Sequence, residues 1–579
     1  MARSTFWNRT SARGGIGRRA VLRGAAGASG LAAAFAIACG GDSDEDAGSS
    51  STSGSSGAAA TTAQGTPNPE LAGAKRGGTY NIDQSDEPIS MDNHRSETPG
   101  SAQAANLAYN HLLRRSEDFV KDPGKVFIDS ELAQAWEQVD NLTYKFSLVQ
   151  NAKWHDIAPV NGRALKAEDV KYSLERMKGS DPELRTRSAM EPIEKIETPD
   201  DHTVIIKTRE PFAALINNVG HTWNIIMAPE FGETQDVNRR AIGTGAFIFK
   251  EWQRGVALRF DRNPEYWRQG QPYFDRVIMR VVPDRAARAT NFRSGEVDIW
   301  GGAPPTVPYE TIDEMKKAVP DVQEIRREGS NNSGTKAYFN TSSAPFNDKR
   351  VRQAFLYGAD YDAMIKIFGG LAQRAGPMPL ASVYGLKEED FPKTDVAKAK
   401  QLLEAGGFTA ANPLKVKTSI SAEYSGPAVS QILQQLMKPV GVEVEINQME
   451  NAAWVQRVYR AGQDYQMSSH GDWSWEDPDR GLYSYFHSKG AANNTHFNNP
   501  QIDALLQKQR GEFDEEARKK TVREIQLMLV DEAPDVWLVS TGGIELYRNR
   551  LHNYKQMQMG NTNGYRQWEF TWYDPLPNR

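Results

Sequence analysis

A chain of 579 residues with a single cysteine, Cys39, can form no internal disulfide and no site built from several thiols. Nor does it hold an apolar run long enough to span a membrane. The uncharged stretch from Gly24 to Ala38 is short and rich in Ala and Gly, whereas a span requires roughly 20 strongly apolar residues. The usual sequence marks of catalysis are missing as well. There is no Gly-x-Ser-x-Gly elbow, no His-Glu-x-x-His and no phosphate-cradling glycine loop with lysine, and the nine histidines are scattered. A basic surplus is lacking too. The formal charge is −5; setting aside the six arginines of residues 1–38, which contain no acid, leaves 63 bases against 74 acids, or −11. An acidic body argues against nucleic acid or anionic lipid as its partner.

What is present begins at the N-terminus. Arg18-Arg19-Ala20-Val21-Leu22-Arg23 is a paired arginine followed by apolar residues, and the uncharged run ends in Ala36-Ile37-Ala38-Cys39. A basic region, a short apolar region and small residues before a cut describe an export signal, and the twin arginine points to the route that exports folded proteins. Small residues before a solitary cysteine resemble a bacterial lipoprotein cleavage site, which makes Cys39 the expected lipid anchor and the membrane a partner through that lipid. Residues 1–39 are thus expected to be the signal. Residues 40–74 begin with a stretch of Gly, Ser, Ala, Thr and acids that cannot pack, a flexible tether. The folded body starts near Lys75.

About 500 residues remain, enough for two or three lobes. Thr143–Leu148 alternates apolar and polar residues as a half-buried strand, and Thr203–Lys207 is a β-branched strand after the Asp200-Asp201 turn. Between them, Val170, Leu174 and Met177 mark the inner face of a helix starting near Ala167. A hairpin over 246–261, a strand at 277–282, a helix over 284–293 and a strand at 297–300 follow. Gly243 and Gly245 suit a turn opening that hairpin, and Asn347 stands where a cap would begin the 350–357 helix. The clearest stretch runs from Leu414 to Ser469. It reads as strand, helix, strand, helix, strand, a series that closes right-handed onto a parallel sheet. Ligands of such sheets sit beyond the carboxyl ends of the strands. The segment leaving the third strand, His470 to Asp479, carries Trp473, Trp475 and four acids in ten residues, and is the best site candidate in the chain.

A series of short motifs then resembles one family. Gly77-Gly78-Thr79-Tyr80, Tyr109-Asn110-His111-Leu112-Leu113, Lys153-Trp154-His155-Asp156, Ile242-Gly243-Thr244-Gly245-Ala246-Phe247, Arg262-Asn263-Pro264-Glu265-Tyr266-Trp267, Tyr338-Phe339-Asn340 and Asp477-Pro478 occur in the order found in extracellular solute-binding proteins of family 5. These are the dipeptide, oligopeptide and nickel receptors of ABC importers. The resemblance implies an α/β fold of the periplasmic-binding type, with two ligand-binding lobes joined by a hinge plus an extra α+β lobe. The expected division gives 75–118, 240–336 and 542–579 to the first lobe, 119–239 to the extra lobe and 337–541 to the third.

The resemblance further implies a monomeric receptor that is not an enzyme and needs no cofactor or metal. It would take a small solute, a peptide first of all, outside the cell, close around it and deliver it to a permease driven by an ATPase. The ligand-contacting residues so implied are Glu97, Tyr109, Asn340, Trp473, Ser474 and Trp475. Peptide-binding relatives carry an acid near the position of Glu97, and an Asp two to three residues before Asp-Pro that pairs with the peptide amine. Ser474 stands at that second position here, and a neutral hydroxyl cannot replace a buried ion pair. Trp473 and Trp475 could instead stack on a sugar ring or an apolar side chain, so an oligosaccharide or a metal chelate stays open beside the peptide. Trp154-His155-Asp156 reads as a loop of the extra lobe. The rival class is an exported carbohydrate-active hydrolase using paired carboxylates of the 472–479 loop.

Overall fold

The computed structural model describes residues 73–574, except 86, 97, 118–125, 182–183, 185–186, 302–310, 328–333, 368–371, 381, 423–425, 461–463, 472–476, 541–542 and 555–567. Cys39, Glu97, Trp473, Ser474 and Trp475 lie outside the described residues.

Alternating burial builds the first half. Thr143–Leu148 and Thr203–Thr208 bury every second residue, and they pair antiparallel with Phe146 opposite Val204 and Tyr144 opposite Ile206. With Ala133–Asp140 and Ile193–Asp200 they make a four-stranded sheet. The helix Ala167–Lys178 turns Val170, Leu174 and Met177 inward. It starts where Asp169 accepts the Lys166 amide at 2.9 Å, and acids in its first turn and bases in its last suit the helix dipole. A second four-stranded sheet sets Thr79–Gln84 parallel to Arg276–Val281, followed by Ala257–Arg262 and Phe247–Gln253. Both sheets share one hydrophobic core.

The second core belongs to a six-stranded mixed sheet in the order Gln373–Arg374, Asp535–Ser540, Gly334–Phe339, Met467–Gly471, Leu414–Ser421, Val442–Met449. Leu414–Ser421 runs parallel to both Val442–Met449 and Met467–Gly471, as the strand–helix series predicts. The helix Gly426–Met437 buries Val429, Leu433 and Met437 against it. A small three-stranded sheet of Ile299–Trp300, Gly543–Arg548 and Val322–Arg327 has its own core around Phe292 and Trp300. The chain passes between this sheet and the six-stranded one twice, from Arg327 to Gly334 and from Ser540 to Gly543.

Several local expectations change. The strand Gly334–Phe339 lies whole in the six-stranded sheet, so a lobe boundary between 336 and 337 would cut a continuous strand. The helix after Phe346 is capped by Asp348, whose carboxylate accepts the Arg350 amide at 2.9 Å, one residue beyond Asn347. The strand expected over 297–300 is confined to Ile299–Trp300, and Asp298 before it turns a buried carboxylate to Arg550 at 2.7 Å and the Tyr573 hydroxyl at 2.6 Å. Gly243 and Gly245 serve close approach rather than a turn. A Cβ on Gly243 would lie 2.0 Å from the Ala108 carbonyl oxygen, and one on Gly245 would lie 2.5 Å from the Ala108 carbonyl carbon.

Candidate functional site

Met467–Gly471 runs antiparallel to Gly334–Phe339, with Thr335 opposite Gly471 and Phe339 opposite Met467. It leaves the sheet at Gly471, the carboxyl end it shares with the parallel strand Leu414–Ser421. The chain is next described at Asp477, and there it is tied down hard. Arg518 donates to both carboxylate oxygens of Asp477, at 2.8 and 3.0 Å, and to the Gln509 side-chain oxygen at 2.9 Å. Two residues on, Asp479 meets Arg510 at 2.6 Å. All four charged groups are buried. Burial pushes the Asp477 carboxyl up, but the charge and hydrogen bonds of Arg518 outweigh it and hold the group below its ordinary value. Asp479 goes the other way: burial, together with the charge of Asp477, outweighs Arg510 and pushes it up to about 6. Both ends of the 472–476 loop are therefore fixed, one by a sheet and the other by a buried ionic knot.

The knot faces side chains that belong with the first core. Asn217 donates to Asp477 at 2.8 Å, and the Ala213 amide donates to the Arg510 carbonyl at 2.7 Å. Arg480 lies over the Trp223 ring at 5.1 Å. Trp223 packs with Ala102 and Tyr485. Ala102 sits in the helix Pro99–Ala108, which is capped by Thr98 just after Glu97. The start of that helix thus comes to the same junction as Arg480 and Tyr485.

Tyr485 also borders a small cavity of about 10 Å³, room for a single water. Lys336, Tyr338, Tyr459, Asn494 and Asp535 line it. Lys336 donates to Asp535 at 2.8 Å, with both side chains nearly inaccessible, and its ammonium lies 5.2 Å from the centre of the Tyr485 ring. Rings on several sides and a charge pair at the base make this a small polar pocket with aromatic walls, of a size for one water. Among the described residues no three His, Cys, Asp or Glu side chains group to hold a metal.

The two expected contact residues that are described do not join this junction. Tyr109 is fully buried in the first core, and its ring lies against Gly243. Burial raises its hydroxyl above the ordinary phenol value, opposed by a backbone hydrogen bond from Ile242. Asn340 lies at the far end of its strand pair, level with Gln466. Five residues of strand, about 16 Å, separate that level from Gly471. Its side chain accepts from the Ser342 amide and hydroxyl at 3.1 and 2.6 Å, which makes it a turn cap. His155 is a clasp between segments. It lies 3.0 Å from the Gly245 carbonyl and accepts the Gly243 amide at 3.3 Å, and burial lowers its pKa to about 4. Lys336, Arg480, Arg510, Arg518 and Asn217 carry no motif that marks them. Only Asp477 and Tyr338 among their partners belong to the family-like strings.

A first and a second core that meet at a charged and aromatic junction, with the chain entering and leaving the second by way of the three-stranded sheet, have the layout of a two-lobed binding protein. The comparisons agree. The model of the bacterial extracellular solute-binding proteins, family 5, matches residues 128–493, and the chain belongs to that family. Heme-binding protein A of Haemophilus influenzae is 26% identical over 79% of this chain and 86% of its own. Glutathione-binding protein GsiB of Pectobacterium atrosepticum is 28% identical over 72% and 81%. The structure of DppA from Helicobacter pylori in complex with the peptide STSA superposes with a TM-score of 0.74, covering 86% of this chain and 98% of that one at 22% identity. Proteins of this family bind solutes outside the cytoplasm, and this chain is a solute-binding receptor of that kind.

Proposed function

We propose that this protein captures a small peptide between the first and third lobes, closes on it and presents it to an ABC permease, doing no chemistry itself. The loop 472–476 and the Arg480–Trp223–Tyr485 junction form the ligand wall in this reading. The supporting observation is that the loop leaves the carboxyl end of a parallel strand and re-enters the described chain at Asp477, the residue that Asn217 touches from the other core. Relatives named for glutathione and for di- and tripeptides, and a neighbour holding the peptide STSA, support a peptide. In the lobe division that goes with this reading, 75–118, 240–333 and 542–579 form the first lobe, 119–239 the extra lobe and 334–541 the third. The boundary at 336/337 is moved to 333/334 to keep Gly334–Phe339 whole.

Native mass spectrometry of the purified protein should show a co-purified peptide. Titration of that peptide against Trp473→Ala and Trp475→Ala should give binding weaker by about tenfold, the loss of ring stacking and of buried area together. Unchanged affinity with a large drop in melting temperature would return both rings to a structural role. Labelled peptides should stay intact on incubation, and turnover would favour the hydrolase.

The reading includes delivery by the twin-arginine route and a diacylated Cys39 that holds the body at the outer face of the membrane. Its support is the order of Arg18-Arg19, the apolar run and Ala36-Ile37-Ala38-Cys39. Cys39→Ala should move the protein from the membrane pellet to the soluble fraction of lysed cells; a variant that pellets like the parent rules the anchor out.

A further inference from the structure

Among the described residues the extra lobe meets the third lobe along 210–223, from Glu210 to Trp223, and the contacts there cross between separate cores. Phe212, Leu215 and Val219 belong to the first core, while Leu482, Phe486, Ile502 and Leu506 belong to the second. No chain crossing joins them at this place, since the crossings lie at 327–334 and 540–543. Over residues 210–217 the contacts are few and mostly polar. Glu210 accepts from Gln507 at 2.8 Å and stands 3.7 Å from Arg510. The Ala213 amide donates to the Arg510 carbonyl, and Asn217 donates to Asp477. The Arg510 guanidinium lies over the Phe212 ring of one lobe at 4.9 Å and the Tyr483 ring of the other at 4.0 Å.

We propose that residues 210–217 are a latch that holds the third lobe in its closed position, with Asn217 as a positioning residue for the start of the ligand wall. The proposal takes its purpose from the receptor reading, but the latch itself stands on these contacts. Their chemistry suits a contact that must open and shut. The patch is carried by neutral or half-exposed hydrogen bonds, each weak in net terms because water replaces it on opening. The buried charged partners are held on the third lobe, where Arg518 and Arg510 keep Asp477 and Asp479 paired whether or not the extra lobe is near, and the one charge that the extra lobe brings, Glu210, is half-exposed. Opening therefore strands no buried charge, and closing meets acceptors already oriented. A contact made only in the closed form raises the closed population before ligand arrives, and apparent affinity rises in proportion to the competent fraction. Asn217 links that event to the ligand wall, because the carboxylate it grips is the first described residue after the 472–476 loop.

Spin labels at Lys195→Cys and Lys520→Cys, both exposed, report the distance between the two lobes in the full chain, with Cys39→Ser leaving no other thiol. Electron–electron double resonance is recorded after refolding from urea to strip any bound solute, so the readout needs no ligand. The parent should show a major short-distance population. Asn217→Asp, which sets a carboxylate against Asp477, and Glu210→Lys, which sets a cation against Arg510, should each raise the longer-distance fraction several-fold while the unfolding midpoint stays within a few degrees. Should one variant fail to fold, the other carries the test, since Glu210 is half-exposed. Distance distributions that overlay the parent's in the folded variants overturn the latch, and so does a parent with no short-distance population. Either result leaves the receptor reading to the ligand titration, which fails or succeeds separately.

Discussion

Arg518→Leu should lower the unfolding free energy by about 3–5 kcal/mol, the usual cost of removing one partner from a buried ion pair. Arg518 donates twice to Asp477 and also reaches Gln509, and both members of the pair are buried. Removing the guanidinium leaves the Asp477 carboxylate with only the Asn217 amide and its own backbone contact at Asp479. The carboxyl would then no longer be held below its ordinary value, since burial alone pushes it up. The unfolding free energy of the variant should therefore improve as pH falls toward the raised carboxyl pKa, while the parent is expected to weaken as acid neutralises Asp477. The sign follows from linkage: a depressed native pKa contributes stability that is lost as pH falls, and a raised one costs stability that is recovered. Urea unfolding at several pH values measures both. A loss under about 1 kcal/mol, with no change in pH dependence, would mean that the knot is not holding the chain. The double variant Arg518→Leu/Asp477→Leu should recover most of the loss, because no charge is then stranded.

Gly243→Ala should cost about 3 kcal/mol or more, at the upper end of overpacking penalties. Its added methyl would lie 2.0 Å from the Ala108 carbonyl oxygen and 2.8 Å from the Tyr109 ring. Neither can yield cheaply: the carbonyl is backbone and accepts the Gly245 amide at 2.8 Å, and Tyr109 is fully buried. Gly255→Ala is the control. That residue has φ +70° and nothing within 4 Å of its added methyl, so only the left-handed strain of about 1–2 kcal/mol applies. Equal losses at the two positions would mean that backbone strain, not the close approach to Ala108, sets the cost.

Local pattern carried the elements that local pattern can carry. Thr143–Leu148 and Leu414–Ser421 declare themselves because one face is wet and the other dry, so side-chain alternation is written into the residues. The parallel arrangement of Leu414–Ser421 follows from the helix-length spacers around it. The junction was much less legible. Asp477 and Arg518 stand 41 residues apart and Lys336 and Asp535 stand 199 apart, and each of these charges reads in sequence as an ordinary surface residue. Arg510 and Arg518 lie on amphipathic helices, where only tertiary packing tells an inward arginine from an outward one. Tyr109 and Asn340, expected as ligand contacts, have structural partners of their own. A family motif records that a residue matters, and burial against Gly243 or a bond to Ser342 is reason enough. The wall at 472–476 rests on the sequence together with its two described flanks.

Lys75 and Asp574 meet at 2.6 Å, so both described ends of the body are fastened on the lobe that holds Thr79–Gln84. A pull applied through the residues before Lys75 is taken up by that lobe, where the strand Thr79–Gln84 is stitched along its whole length to Arg276–Val281. The 334–540 stretch is joined to the chain through residues 328–333 and 541–542, and neither connection belongs to that sheet. Tension applied there would load that parallel pair before it reached the six-stranded sheet.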